Sequence, residues 1–63
     1  MDLDKLLKER ELSCNDLAKR TGIARQYLYD IAAGRKDWKR VTYGKLESIA
    51  QALGISLDEL VNS

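Results

Sequence analysis

The sequence predicts an all-α fold: a single domain of five short helices that spans residues 1–63. Three observations support this prediction. Apolar residues recur at the i, i+3 and i+4 spacing of a helix in successive segments. Small polar residues that favour helix N-caps precede several of these segments, and glycines that favour helix C-termini follow them. Within residues 14–34, two such segments meet at a tight turn that contains glycine, which is typical of a helix-turn-helix.

Helices 1 and 2 begin at polar residues that stabilise a helix start. Helix 1 is expected from about Asp2 or Asp4 to Arg10, because acidic side chains favour the positive end of the helix dipole. Ser13 is the expected N-cap of helix 2, with Asp16 three positions later as a short version of the capping-box partner. The residues of these two helices that are expected to face the core are Leu3, Leu6, Leu7, Leu17 and Ala18.

Helix 3 follows a turn at Gly22, where the chain is expected to adopt a left-handed conformation that would cost a residue with a Cβ about 1 kcal/mol. The helix then runs from about Arg25 and ends at Gly34. Its expected buried stripe is Leu28, Ile31 and Ala32. Two helices joined in this way present the second helix to the major groove of DNA.

Helices 4 and 5 complete the predicted domain. Thr42 is the expected N-cap of helix 4, and Gly54 its C-terminal stop. Ser56 and Glu59 have the spacing of a full capping box at the start of helix 5. Helix 4 is expected to bury Leu46, Ile49, Ala50 and Leu53, and helix 5 to bury Leu60 and part of Leu57 or Val61.

Charge is distributed unevenly along the chain, although the net charge is only +1. Residues 1–16 carry a net charge of −2, residues 17–45 of +6 and residues 46–63 of −3. A basic centre between acidic ends indicates a local binding surface for phosphate groups. The alternative interpretation is a solvated surface on which like charges cluster by chance.

Composition limits the classes of function that the chain can have. A single cysteine and the lack of histidine exclude an internal disulfide and a Cys/His zinc site. The sequence has no glycine-rich phosphate loop and no paired nucleophile and base, so an enzyme is not expected. No metal, cofactor or small-molecule ligand is expected either. Apolar runs are too short for a signal peptide or a membrane span, and the expected location is the cytoplasm.

Two segments of the chain resemble the Cro/Xre-type phage-repressor family. The first segment matches that family through Leu17-Ala18, Thr21-Gly22-Ile23, Leu28, Ile31 and Gly34, and the second through Leu46, Ile49-Ala50, Leu53-Gly54-Ile55-Ser56-Leu57 and Leu60. Because the two segments occur in the family's order, the resemblance covers nearly the whole chain. It implies a compact five-helix, lambda-repressor-like DNA-binding domain whose helices 2 and 3 form the helix-turn-helix.

The chain departs from the family pattern at several places. Glu11 stands where the family usually has glycine, so either the turn differs or Glu11 adopts a strained conformation. Leu7 and Ala32 replace an arginine–glutamate pair that the family often has, and the joint loss indicates apolar contact between helices 1 and 3. Cys14 replaces a glutamine that usually contacts phosphate. A thiol at a helix start is expected to have a lowered pKa, but a redox role is the less favoured interpretation.

Base contacts are expected from the exposed side chains of helix 3, at positions Arg25, Gln26, Tyr29 and Asp30. Arginine can donate two hydrogen bonds to guanine O6 and N7, and glutamine can pair with adenine N6 and N7. The resemblance indicates Arg25 and Gln26 as the principal base contacts. Asp30 could accept a hydrogen bond from cytosine N4 or orient a nearby arginine. For Tyr27 and Tyr29, contact of the hydroxyl with a phosphate and packing of the ring beside helix 2 or the loop both stay open.

Phosphate contacts are expected from residues that surround helix 3: Cys14, Arg20, Tyr27, Arg35, Lys36, Lys39 and Arg40. The side chain of Cys14 would contribute little, although the backbone N–H groups at the start of helix 2 could still face a phosphate. The segment after Gly34 also holds Trp38 and Tyr43. Either of these rings could lie across a DNA sugar or pack on the edge of the core, and the sequence leaves both interpretations open.

The leading functional hypothesis is a sequence-specific transcriptional regulator, acting as a repressor and binding double-stranded DNA as a homodimer on an inverted repeat. The dimer contact is expected near the C-terminus, at Leu57, Val61 and Asn62, because apolar residues remain there once Leu60 is buried. The alternative is a protein-interaction module, such as an antirepressor or an antitoxin-like partner. Such a module should expose apolar side chains where this sequence has Arg, Gln, Tyr and Asp.

Overall fold

A computed structural model describes all residues 1–63 as a bundle of five α-helices. The helices are α1 at Leu3–Glu9, α2 at Cys14–Thr21, α3 at Arg25–Ala32, α4 at Tyr43–Leu53 and α5 at Leu57–Asn62, with a short 3₁₀-helix at Trp38–Arg40 between α3 and α4. The predicted all-α, five-helix fold is therefore confirmed. No helix has the length and apolar character that crossing a bilayer requires.

The core is entirely apolar and draws on every helix. Helix α2 packs against α3 and α4, α1 against α3, and α5 against α4. The 13 buried residues include no polar or charged side chain. Five of the predicted core residues are fully buried: Leu3, Leu17, Leu28, Ile49 and Leu60. Val41, in the segment between α3 and α4, is also buried and was not predicted. This core fixes α3 relative to α2, and thereby sets which side chains α3 exposes.

Several helix ends form as the sequence predicts. The Ser13 hydroxyl accepts a hydrogen bond from the backbone N–H of Asp16 at 3.1 Å, and the Asp16 carboxylate accepts from the backbone N–H of Ser13 at 3.0 Å. These reciprocal bonds form a capping box at the start of α2. Gly22 ends α2 with φ 75°, and Gly54 ends α4 with φ 72°. Both glycines therefore have the left-handed conformation that a Cβ would disfavour.

Two predicted caps are incomplete. Thr42 occupies the N-cap position of α4 but makes no side-chain hydrogen bond to the helix. The Ser56 hydroxyl accepts from the backbone N–H of Glu59 at 3.1 Å, whereas the Glu59 side chain makes no return bond to Ser56. The expected threonine cap and the full capping box at α5 were therefore wrong in part. The last turn of α1 also ends one residue earlier than predicted, with Arg10 as its C-cap.

The departures from the family pattern at Glu11 and at Leu7 and Ala32 have clear structural counterparts. Glu11 has φ 55°, so of the two alternatives it is the strained conformation that occurs. Leu7 is buried where α1 packs against α3, and Ala32 is half-buried and packs against the same core. This apolar packing agrees with the predicted contact between helices 1 and 3.

Candidate nucleic-acid interface

The turn between α2 and α3 is held by a side chain inside α2. The Thr21 hydroxyl donates to the carbonyl oxygen of Leu17 at 2.8 Å and accepts from the backbone N–H of Ile23 at 3.2 Å. After Gly22, the chain enters α3 through Ala24, which offers no side-chain cap. The α3 backbone N–H groups at this end are thus left without a side-chain acceptor. The result is a short, fixed turn that orients α3 across α2.

Helix α3 has one buried face and one exposed face. Leu28 and Ile31 enter the core, while Arg25, Gln26 and Tyr29 are exposed. The guanidinium carbon of Arg25 lies 5.7 Å from the centre of the Tyr29 ring, one helical turn away. At this distance the ring attracts the cation weakly. The structure therefore brings the predicted base-contacting side chains together on one exposed face, with Asp30 beside them.

Asp30 lies between two hydrogen-bond donors. Its Oδ1 accepts from Nε2 of Gln26 at 3.1 Å and from Nε of Arg35 at 3.0 Å. The hydrogen bond from Arg35, followed by that from Gln26, holds the pKa of Asp30 below its ordinary value near 3.8, and the charge of Lys36 adds to this effect. Asp30 is therefore a carboxylate at neutral pH. We call this set of three residues the Gln26–Asp30–Arg35 bridge.

Tyr27 belongs to α3, and its ring lies beside the first turn of α4. Its ring is half-buried and packs against the core. The ammonium groups of Lys36 and Lys45 lie 4.8 Å and 4.2 Å from the ring centre. Both distances are within the range of a cation–π interaction. This Tyr27 cluster holds two positive charges beside one ring, and Lys45 was not among the predicted phosphate contacts.

The remaining predicted phosphate contacts are exposed cations on neighbouring elements. Lys39 and Arg40 project from the 3₁₀-helix, which Asp37 caps by accepting from the backbone N–H of Lys39 at 3.0 Å. Arg20 lies on α2, and its Nη1 is 3.5 Å from the carbonyl oxygen of Ala52. Arg20 thus extends towards the end of α4, whereas the Tyr27 cluster lies at the start of that helix. The cations do not all converge on one point.

Residues 2–62 match the family described as the Cro/C1-type HTH DNA-binding domain. The chain belongs to this family. Membership agrees with the predicted resemblance and with the helix-turn-helix of α2 and α3, and it makes the chain a DNA-binding domain of the kind found in regulators. Comparison with curated proteins and with solved structures gives no significant match.

Cys14 of this HTH domain lies at the start of α2 with its side chain in the core, where 7% of the residue is exposed. Burial raises the pKa of the thiol above its ordinary value near 9.0, and the negative charge of Asp4 raises the pKa further. The expected lowering of the pKa by the helix start was wrong, because desolvation outweighs the helix dipole here. The buried thiol cannot reach a phosphate, so any contact from Cys14 would come from its backbone.

The two rings near α4 in the HTH domain have different environments. Trp38 is half-buried and packs against the core. Tyr43 is 66% exposed, and the neighbouring Glu47 carboxylate raises the pKa of its hydroxyl above the ordinary value near 10.0. Of the two interpretations, packing on the core edge describes Trp38, while the exposed ring of Tyr43 is available for an external contact.

Lys45 was not predicted from the sequence, because its position beside Tyr27 results from the tertiary fold. Position 45 lies in the first turn of α4, and only the fold of the HTH domain brings it to the Tyr27 ring of α3. The one indication in the sequence was its membership of the basic segment 17–45. The HTH domain therefore has two local arrangements beside α3 that sequence alone did not define: the bridge and the Tyr27 cluster.

Proposed function

We propose that this domain belongs to a sequence-specific transcriptional repressor that binds double-stranded DNA as a homodimer on an inverted repeat, with α3 in the major groove. One observation carries the proposal: the face of α3 opposite the core exposes side chains that can hydrogen-bond to bases. An α-helix fits the major groove of B-DNA, and the second helix of a helix-turn-helix docks there.

Two residues of α3 are suited to contact different bases. Arg25 is the donor for guanine O6 and N7, and Gln26 is the donor and acceptor for adenine N7 and N6. Both side chains lie in the first turn of α3, the part that enters the groove most deeply in this docking geometry. Tyr29 is exposed one turn further along and lies near the edge of the contact.

Cations around α3 supply the sequence-independent part of the affinity. Arg35 and Lys36 follow α3, and Lys39 and Arg40 lie on the 3₁₀-helix. Each cation that neutralises a phosphate releases counterions, which makes binding weaker as salt rises. The exposed positions of Arg35, Lys39 and Arg40 support contacts with the backbone on either side of the major groove, while Lys36 is half-buried. Repression follows if the bound site overlaps a promoter, because occupancy alone then excludes the polymerase.

A protein-interaction module has less support. An interface of that class needs a contiguous apolar patch on the surface. Tyr29 and Tyr43 are the large apolar residues that are exposed, and both carry a polar hydroxyl group. The charged and amide side chains of the α3 face suit the edges of bases better than an apolar partner.

The decisive experiment compares two classes of substitution on DNA selected from a random double-stranded pool. Gln26→Ala should weaken binding to the selected site by roughly 1–3 kcal/mol and relax the preference at one base pair per half-site. It should leave non-specific binding unchanged, since glutamine carries no charge. Lys39→Ala should weaken binding to all sequences and reduce the slope of log affinity against log salt by about 0.9. Fluorescence anisotropy at several salt concentrations measures both effects.

Gln51→Ala is the matched control, because Gln51 is an exposed glutamine on α4. It should change neither the base preference nor the salt slope. A pool that yields no enriched sequence, together with a salt slope near zero for the unmodified chain, would refute DNA binding. Equal weakening of all sequences by Gln26→Ala would instead show that Gln26 contacts the backbone and that α3 is docked differently.

A further inference from the structure

The Asp30 carboxylate accepts hydrogen bonds from one residue before it in the chain and one residue after it. A direct contact between Asp30 and a base would require neither of these bonds. Its Oδ1 accepts from the amide of Gln26, one helical turn earlier, and from the guanidinium of Arg35, which follows the helix. Its backbone oxygen also accepts from the N–H groups of Arg35 and Lys36, at 2.8 Å and 3.1 Å. The segment that leaves α3 is therefore tied to Asp30 through both its backbone and its side chain.

We propose that Asp30 is a positioning residue: its carboxylate orients the Gln26 amide for adenine and links that base contact to the phosphate contact of Arg35. The proposal rests on the proposed function, in which α3 lies in the major groove. It assigns to Asp30 a role other than direct contact with cytosine.

The orientation of the Gln26 amide follows from the chemistry of its partner. A carboxylate has no proton to donate, so the amide must turn its NH₂ group towards Asp30. One N–H of Nε2 is then used, while the second N–H and the carbonyl oxygen of Gln26 are free. This remaining donor and acceptor form the pair that adenine N7 and N6 require. Asp30 thus selects one of the two amide orientations before DNA arrives, which lowers the entropic cost of binding.

Arg35 connects the same carboxylate to the DNA backbone. Its Nε is bound to Asp30, while the two terminal nitrogens of its guanidinium make no hydrogen bond within the chain. The Arg35 side chain is 61% exposed, whereas the Asp30 side chain is 30% exposed. A guanidinium held at Nε and free at its ends can donate two hydrogen bonds to a phosphate. Base and phosphate contacts should therefore be energetically coupled through Asp30.

The test is a double-mutant cycle read out at every base pair of the selected site. Asp30→Ala should reduce the preference for adenine at the Gln26 base pair by about 2- to 10-fold, the range expected for one net hydrogen bond. Gln26→Ala removes the same preference, and the double variant should lose no more than Gln26→Ala alone. Asp30→Asn keeps an acceptor oxygen and should restore part of the preference. Asp58→Ala, the same charge change on α5, should leave every base preference unchanged.

Two outcomes of this cycle would overturn the proposal. If Asp30→Ala relaxes the preference at a different base pair and its effect adds to that of Gln26→Ala, Asp30 contacts a base directly. If Asp30→Ala leaves the adenine preference intact, the carboxylate does not orient the amide. Circular dichroism of each variant establishes that the helices persist, so that either result refers to recognition and not to unfolding.

A second measurement on the free chain separates this proposal from DNA binding itself. The side-chain NH₂ resonances of Gln26 should shift when Asp30 gains its proton at low pH. The charged groups that act on Asp30 during this titration are Arg35 and Lys36. Asp30→Ala should remove the shift. A Gln26 amide that does not respond to this titration would overturn the bridge even if the chain binds DNA. If the shift occurs but no DNA sequence is selected, the bridge exists and the proposed function is wrong.

Discussion

Cys14 occupies the first position of α2, and its side chain is buried in the core. Two effects act on its thiol in opposite directions. The helix dipole favours the thiolate, whereas removal from water disfavours it. The pKa is raised, so desolvation is the larger effect. The folded chain therefore favours the neutral thiol, and Cys14 behaves as a small apolar residue of the core.

The raised pKa predicts how Cys14 affects stability and reactivity. Its contribution to stability is complete below the unfolded pKa, near 9.0, and is lost as pH rises, because the unfolded chain ionises its thiol first. Alkylation by iodoacetamide at neutral pH should be slow in the native chain and fast in urea. Cys14→Ser should lower the free energy of unfolding by about 1–3 kcal/mol, since it buries a hydroxyl group. Native alkylation as fast as that of free cysteine would contradict this prediction.

The connection between α3 and α4 depends on the Tyr27 cluster. Tyr27 belongs to α3, Lys36 follows that helix, and Lys45 lies in the first turn of α4. Two ammonium groups repel each other, but the electron-rich face of an aromatic ring attracts both. The ring thus compensates for part of the repulsion and keeps two potential phosphate contacts beside the α3 face.

Two substitutions of Tyr27 distinguish the ring from its hydroxyl group. Tyr27→Phe retains the ring and should leave non-specific DNA affinity and its salt dependence nearly unchanged. Tyr27→Leu retains a half-buried apolar side chain but removes the ring, and it should weaken non-specific binding by about 0.5–1 kcal/mol. Anisotropy titrations against a random duplex, with circular dichroism to check folding, measure the difference. An equal loss in both variants would mean that the hydroxyl group contacts phosphate directly.

The helices themselves were largely predictable from sequence, because each is encoded by local spacing and by its ends. The apolar stripes identified the core, and the Ser13 box and the glycines at 22 and 54 identified the boundaries. What sequence did not reveal depends on tertiary position. The Nε of Arg10 donates to the carbonyl oxygen of Leu53 at 3.0 Å, 43 residues away. No local pattern in the sequence predicts such a contact between the end of α1 and the end of α4.

The candidate site was predictable to a smaller extent. The exposed residues of α3 follow from the phase of its apolar stripe, so Arg25, Gln26 and Tyr29 were assigned to that face correctly. Whether Asp30 bonds to a neighbour or remains free depends on the path of the chain after α3. That path brings Arg35 back to Asp30 and Lys36 to Tyr27. The spacing of residues in the sequence does not predict these two contacts.

At the scale of the whole molecule, size limits how two copies can meet on DNA. The Cα atoms extend over 22 × 21 × 19 Å. Half-sites for a helix-turn-helix dimer are separated by about 34–36 Å, one turn of the duplex. Two copies at that separation can touch only along their edges. The proposed contact residues provide a small surface of this kind, because Leu57 is partly packed against the core while Val61 is half-buried and Asn62 is exposed.

The expected result is a dimer that is weak in solution and forms cooperatively on DNA. Sedimentation should detect mainly monomer at micromolar concentration, and two copies should bind an inverted repeat with half-sites one turn apart. Moving the half-sites apart by half a turn should abolish the cooperativity while leaving the affinity of each half-site unchanged, because the two copies then face different sides of the duplex.

Val61→Glu tests where the two copies meet, since it adds a charge to each side of a symmetric contact. Like charges that face each other across the dyad should repel, so cooperativity should fall while binding to an isolated half-site is retained. Gln51→Glu is the matched control, because it introduces the same side chain at an exposed position of α4. If Val61→Glu and Gln51→Glu behave alike, the contact lies elsewhere on the molecule. If the unmodified chain binds a full inverted repeat without cooperativity at any spacing, the domain acts as a monomer and the homodimer is wrong.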